Sequence, residues 1–99
     1  MLKQARVYIK GDVIGVGFRA WTKIQAKIIG AYGWVKNNFS RPEIFGNGGG
    51  VEALIQGDEK KVNKLIEVVK IGPPVSHVDD VEIIFEDVRE VFEEFEIRK

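Results

Sequence analysis

Three glycines, Gly11, Gly15 and Gly17, fall within the stretch KGDVIGVGFRAW (residues 10–21), and Arg19 stands where a helix should begin. Only Asp12 among these residues can accept a proton at neutral pH. Glycines between a strand and a helix can serve simply to permit a tight turn. The arginine argues for more. A helix N-terminus carries partial positive charge and unpaired N–H groups, so a cation there is unfavourable by about 0.3–1 kcal/mol. An anion lying between them reverses that penalty. Successive N–H groups of a glycine-rich turn form a concave nest for such an anion. Arg19 adds a fixed fork of donors that fits phosphate oxygens. The stretch therefore reads as a phosphate cradle, with bare backbone supplying donors and the arginine supplying charge. Asp12 is expected to point away into solvent.

Two other glycine patterns fit less well. GVGFRA (15–20) satisfies G-x-G-x-x-A, the dinucleotide fingerprint. That fold needs a longer chain, near-continuous apolar parallel strands and an acid about 20 residues on to hold the ribose. Here the next strand ends in Lys36, Asn37 and Asn38, with no acid. A P-loop requires G-K-[ST] to close the stretch, and none is present.

The elements that must position the cradle follow from periodicity. Ala5, Val7 and Ile9 alternate with Arg6, Tyr8 and Lys10, which predicts a half-buried first strand. Trp21, Ile24 and Ile28 recur at helical spacing between Phe18 and Ile29, with Gly30 as the stop. AYGWVKN (31–37) is aromatic and β-branched enough for a second strand. Residues 38–50, with one proline and four glycines, read as a loop of unusual length, either mobile or functional. VEALIQ (51–56) is a third strand. Asp58 caps a second helix whose Val62, Leu65, Ile66 and Val69 share one face, and Gly72-Pro73-Pro74 ends it. HVDDVEIIFE (77–86) places Val81, Ile83 and Phe85 on one face of a fourth strand, and Phe95 and Ile97 anchor a short last one. The order predicts an α+β, ferredoxin-like split βαβ sandwich. One-sided alternation favours an antiparallel sheet with two helices on one face and a short extra C-terminal strand.

Composition narrows the field. The 99 residues suit one domain, and 44% apolar with 30% charged residues is a globular mixture. Fifteen basic and fifteen acidic residues cancel, so no global field draws nucleic acid or anionic membrane. There are no cysteines, which excludes disulfides, thiolate metal sites and cysteine nucleophiles and suits a cytoplasmic location. Neither a signal peptide nor a membrane span is read from the sequence.

Two ordered motifs carry a resemblance. The chain resembles the acylphosphatase family in its first strand, in G-x-V-x-G-V-G-F-R as GDVIGVGFR (11–19), and in GWVKN (33–37). It also shares the GPP segment (72–74), so the likeness covers nearly the whole of residues 1–99 as one domain. The resemblance implies hydrolysis of a small acyl phosphate to a carboxylate and inorganic phosphate, without cofactor or metal. It implies that Arg19 binds the substrate phosphate along with the loop amides of Ile14, Gly15, Val16, Gly17, Phe18 and Arg19. It implies that Asn37 positions the attacking water. A monomer with no nucleic-acid or membrane partner is expected. Two departures stand out: Ile14 occupies a position where the family usually has Gln, and the 38–50 segment is longer than the family's turn.

Plainer readings exist for individual residues. Asn37 could simply end a strand, and lone His77 beside GPP reads as a strand-edge residue. Trp21 and Trp34 read as packing residues. The acidic run from Glu86 to Glu96 reads as the solvated side of a sheet edge. The alternative from another class is a non-catalytic ferredoxin-like module that binds an anion such as acyl or carbamoyl phosphate. An RNA-binding variant lacks the RNP aromatic pattern and the basic charge.

Overall fold

A computed structural model describes residues 1–99. The elements run β1 (Lys3–Asp12), α1 (Phe18–Ile29), β2 (Tyr32–Asn38), α2 (Pro42–Phe45), β3 (Gly50–Gly57), α3 (Glu59–Ile71), β4 (His77–Glu86) and β5 (Phe95–Arg98). They build one sheet in the order β4-β1-β3-β2-β5. β1 lies between β4 and β3, antiparallel to both, and β3 is antiparallel to β2. This is the predicted α+β, ferredoxin-like arrangement.

The last strand corrects the expectation of a wholly antiparallel sheet. β5 runs parallel to β2, with Gly33 opposite Phe95 and Lys36 opposite Arg98, so the sheet is mixed. Chain reach explains why. Residues 87–94 must cross four strand spacings, about 19 Å at about 4.8 Å each, and about 27 Å of extended chain suffices. The segment therefore crosses at the end where β4 finishes, which is the end where β2 begins. Gln56 pins the crossing: its Nε2 donates to the Glu90 carbonyl (2.5 Å), and its Oε1 accepts from the Phe92 amide (3.1 Å). β5 then has only one direction open, that of β2.

The core lies between the sheet and helices α1 and α3. Ala5, Val7 and Ile9 of β1 and Val51, Ala53 and Ile55 of β3 meet Val62, Leu65, Ile66 and Val69 of α3, as the periodicity predicts. The Asp58 side chain accepts a hydrogen bond from the Lys61 amide (3.0 Å) and so caps α3. Helix α1 is a second correction. Its buried stripe is Phe18, Thr22 and Ala26, whereas Ile24 and Ile28 are exposed. Small side chains at 22 and 26 let the helix approach the sheet, and the Thr22 hydroxyl is satisfied by the Phe18 carbonyl (2.8 Å). Trp21 stays half-buried, edge-on to Phe18.

The other face of the sheet carries Gln4, Arg6, Tyr8, Trp34 and Glu52. The 38–50 segment folds onto it. It contains the single-turn helix α2, whose Phe45 meets the Tyr8 ring edge-to-face (centroids 5.7 Å apart). A Cβ at Gly50 would collide with the Phe45 ring. β4 forms one sheet edge, with Val81 and Ile83 half-buried on the helix side and Phe85 exposed in a hollow beside Glu59, Val62 and Asn63 of α3. His77 begins that edge strand, exposed, beside Asp79. Trp34 is buried as expected, but under the cations Arg6, Lys36 and Arg98 rather than under a helix.

Candidate active site

β1 ends at Asp12, and the chain reaches α1 through a bend over 14–17 slung between two fully buried anchors, Val13 and Phe18. Burying a phenylalanine contributes about 1.5–3 kcal/mol, enough to hold the loop's far end in place. Gly15 and Gly17 take left-handed backbone angles (φ 76° and 78°). A Cβ at either would meet nothing within 4 Å, so conformation rather than space calls for glycine. Ile14 and Val16, between and before them, turn half-buried side chains against the core. The backbone is thereby left to face outward contacts alone.

Its donors are unspent. Gly17 caps α1 with no side-chain hydrogen bond, and the first turn contains no acid. Every amide from Ile14 to Ala20 lacks an acceptor within the protein; the neighbouring bonds are Val13 N–H to the Gly11 carbonyl and Trp21 N–H to the Gly17 carbonyl. Arg19, half-buried in the first turn, forms no ion pair with any carboxylate. Asp12 is exposed, as expected.

The topology brings Asn37 to the same place. β2 is antiparallel to β3, which is antiparallel to β1, so β1 and β2 finish at one end of the sheet. Gly15, Gly17, Phe18, Arg19 and Asn37 line one cavity of about 170 Å³, together with Val13, Ala20 and Ile97. The two adjacent asparagines differ sharply. Asn38 is buried on the opposite face, where Nδ2 donates to Glu52 (2.8 Å) and Oδ1 accepts from the Ser40 amide and hydroxyl (2.9 Å each). Asn37 is half-buried, and its side chain has no protein partner. No residue of 39–50 lines this cavity.

Sequence reasoning missed Ile97, which it took only as a strand residue. The Phe95/Ile97 alternation placed both on one face, but the parallel pairing that carries Ile97 to the loop end was not visible. It also missed a partly buried polar cluster on the open face. Arg6 donates through Nη1 to Glu52 (2.5 Å) and through Nε and Nη2 to Glu86 (2.8 and 3.3 Å). The hydrogen bond from Arg6, with a further one from Gln4, holds the Glu86 carboxyl below its ordinary range against the opposing effect of burial. Glu86 thus belongs to this cluster rather than to a solvated acidic edge. Larger hollows of about 500 and 570 Å³ lie near Arg6 and near Met1 and Phe85. Neither holds the glycine-loop amides, Arg19 or Asn37.

The acylphosphatase family model matches residues 5–97. The chain is 42% identical over 95 residues to an acylphosphatase of Syntrophobacter fumaroxidans, covering 96% of this chain and 90% of that one. The chain belongs to the acylphosphatase family. An acylphosphatase of Pyrobaculum islandicum is 39% identical over 94 residues, covering 95% and 92%. The crystal structure of the Bacillus subtilis acylphosphatase superposes over all of both chains with a TM-score of 0.85 at 34% identity. Acylphosphatase activity comes with that membership, with an acyl phosphate as substrate and phosphate as product. Near-full-length likeness to enzymes also displaces the reading as a non-catalytic anion module. No helix is long and apolar enough to cross a membrane.

Proposed function

We propose that the loop amides of Ile14 through Arg19, with the Arg19 guanidinium, hold the phosphoryl group of a small acyl phosphate, and that Asn37 positions the attacking water. The observation that carries this reading is the coincidence of unspent donors. Gly15 and Gly17 through Ala20 with their unpaired amides, an arginine without a carboxylate and an asparagine without a partner line one cavity, which Ile14 and Val16 do not line. This is in a protein where no buried side-chain polar atom lacks a hydrogen bond. Charge-assisted hydrogen bonds of this kind contribute about 1.5–3 kcal/mol each.

The chemistry needs little else. Water oxygen attacks phosphorus, the bond from phosphorus to the acyl oxygen breaks, and its electron pair leaves with the carboxylate. A carboxylic acid has a pKa of about 4, so the leaving group needs no proton from a general acid. Phosphoryl transfer asks the protein mainly for positioning and charge stabilisation. Neither a carboxylate nor a histidine lines the cavity, so the proton released by water passes to a phosphoryl oxygen. Ile14, at a position where the family usually has Gln, keeps its amide in this scheme and contributes no side-chain donor. The cytoplasmic, monomeric, single-domain state belongs to the same proposal.

The test is hydrolysis of benzoyl phosphate near neutral pH with a chelator present, alongside Arg19→Ala. Rapid turnover by the wild type, lost in the variant together with inhibition by inorganic phosphate, is the expected result. A folded Arg19→Ala protein that still turned over and still bound phosphate would sink the assignment.

A further inference from the structure

Ile97 is the one large apolar side chain of the cavity that a ligand can touch. Val13 and Phe18 are 1% and 2% exposed and belong to the core, and Ala20 offers a single methyl group. Ile97 is 42% exposed, yet it lines the hollow that holds Arg19 and Asn37. Its position follows from the strand geometry. On β5, Phe95 and Ile97 face the helices, and Phe95 fills the core at 3% exposure. Val35 lies opposite Ile97 in the parallel pair, so Ile97 stands one strand outward from β2, which carries Asn37. β5 is the sheet edge, and beyond Ile97 there is solvent.

We propose that Ile97 is a specificity-determining residue: it receives the acyl group and favours a larger apolar acyl phosphate, such as benzoyl, over acetyl phosphate. The inference rests on the phosphate cradle described above. Once the phosphoryl group occupies the donors of the loop and Arg19, the acyl group must leave the cavity along a wall that is not fully buried. Ile97 is that wall on the β5 side. An apolar surface there stabilises a hydrocarbon and disfavours a carboxylate or hydroxyl adjacent to the carbonyl, which would lose water without gaining a hydrogen bond. Because the strand is an edge, the wall is short. Contact is made by a group the size of a ring attached to the carbonyl and hardly by a methyl group, and longer chains extend into solvent without further gain.

The experiment compares wild type, Ile97→Ala, Ile97→Thr and Ile97→Leu. Benzoyl phosphate and acetyl phosphate are the substrates, and inorganic phosphate is the competitive inhibitor. Ile97→Ala and Ile97→Thr are expected to raise KM for benzoyl phosphate by about 5–10-fold, within the range set by loss of a few methylene contacts. Acetyl phosphate KM, kcat and inhibition by phosphate should move by less than about 2-fold, and Ile97→Leu should restore the benzoyl preference. Equal changes for both substrates, or an unchanged benzoyl-to-acetyl ratio in a folded Ile97→Ala protein, would overturn the proposal. Calorimetric binding of phenylphosphonate and of phosphate to the same proteins reads the wall without turnover. A wild type that binds both but hydrolyses nothing overturns the catalytic reading alone. Phenylphosphonate affinity indifferent to Ile97→Ala overturns the acyl wall alone.

Discussion

Arg6 and Arg19 are both half-buried arginines beside the sheet, and they have opposite environments. Arg6 sits on the open face with its donors committed to Glu52 and Glu86, and Glu52 also accepts from Asn38. Arg19 sits at the end of the sheet with no carboxylate and a run of unpaired amides before it. The same contrast separates Asn38, locked by three hydrogen bonds, from Asn37, with none. A polar group buried for stability is saturated by its neighbours, because leaving it unmet costs about 1–3 kcal/mol. The open donors of the glycine loop, Arg19 and Asn37 contrast with the buried side-chain polar atoms, all of which are bonded within the protein, and that contrast supports the proposed phosphate site. The proposed site rests on that distinction and not on cavity size.

The largest expected effect breaks the comparison at its reactive end. Arg19→Ala should lower kcat/KM for benzoyl phosphate by about 10³-fold, the upper end of the range for removing one charge-stabilising donor. Its denaturation midpoint should move little, since Arg19 supports no other side chain. A large loss of stability with modest loss of turnover would show that the two arginines do the same job after all.

The reverse outcome is expected for Arg6→Ala. It leaves Glu52, with a side chain only 8% exposed, without its cation. Breaking such a pair from one side costs about 3 kcal/mol, and urea denaturation should show it. Turnover measured well below the shifted transition should stay within about 2-fold of wild type.

The asparagine pair sharpens the same contrast. Asn37→Ala should reduce kcat by about 10²-fold while phosphate inhibition is nearly unchanged. Asn38→Ala should instead cost about 1–3 kcal/mol of stability by leaving Glu52 short of a donor, with kcat close to wild type. Loss of phosphate affinity in Asn37→Ala equal to that in Arg19→Ala would contradict the separate roles of holding and water positioning.

What was legible in the sequence divides along similar lines. Features encoded locally could be read: the β1 alternation, the Asp58 cap, the Gly72-Pro73-Pro74 stop, and the glycine loop meeting a helix at Arg19. The two-helix, split βαβ plan followed from their order. Features set by distant contacts could not. The direction of β5 depends on which end of the sheet residues 87–94 cross, and that depends on Gln56 holding Glu90 and Phe92. Ile97 reaches the site only through that direction. The α1 stripe was misread because Ile24 and Ile28 are the more apolar residues, whereas Phe18, Thr22 and Ala26 have the sizes and the satisfied hydroxyl that close packing requires. Asn37 and Asn38 are chemically identical, and only strand alternation decides which one faces the cavity. The family resemblance, not the spacing, singles out Asn37, the one that lines the cavity.

The smallest expected effect concerns Glu86, the partly exposed member of the Arg6 cluster. Its carboxyl lies below the ordinary value of about 4.3, chiefly because Arg6 donates to the ionised form and Gln4 adds a second bond. A group whose folded pKa is depressed binds fewer protons when folded than when unfolded. Its stabilisation is therefore complete above the ordinary carboxylate value and is lost as pH falls through the lower folded one. Glu86→Gln removes that titration, so stability should fall less steeply between pH 5 and the acid limit than in wild type. Near neutral pH the variant should be slightly less stable, because the neutral amide meets Arg6 with weaker hydrogen bonds. Turnover at pH 7 should be unchanged, since Glu86 lies on the open face and does not line the cavity with Arg19. Chemical denaturation across the acid range checks the slope, and an acid limb identical to wild type would mean that Arg6 draws its stabilising charge from Glu52 alone.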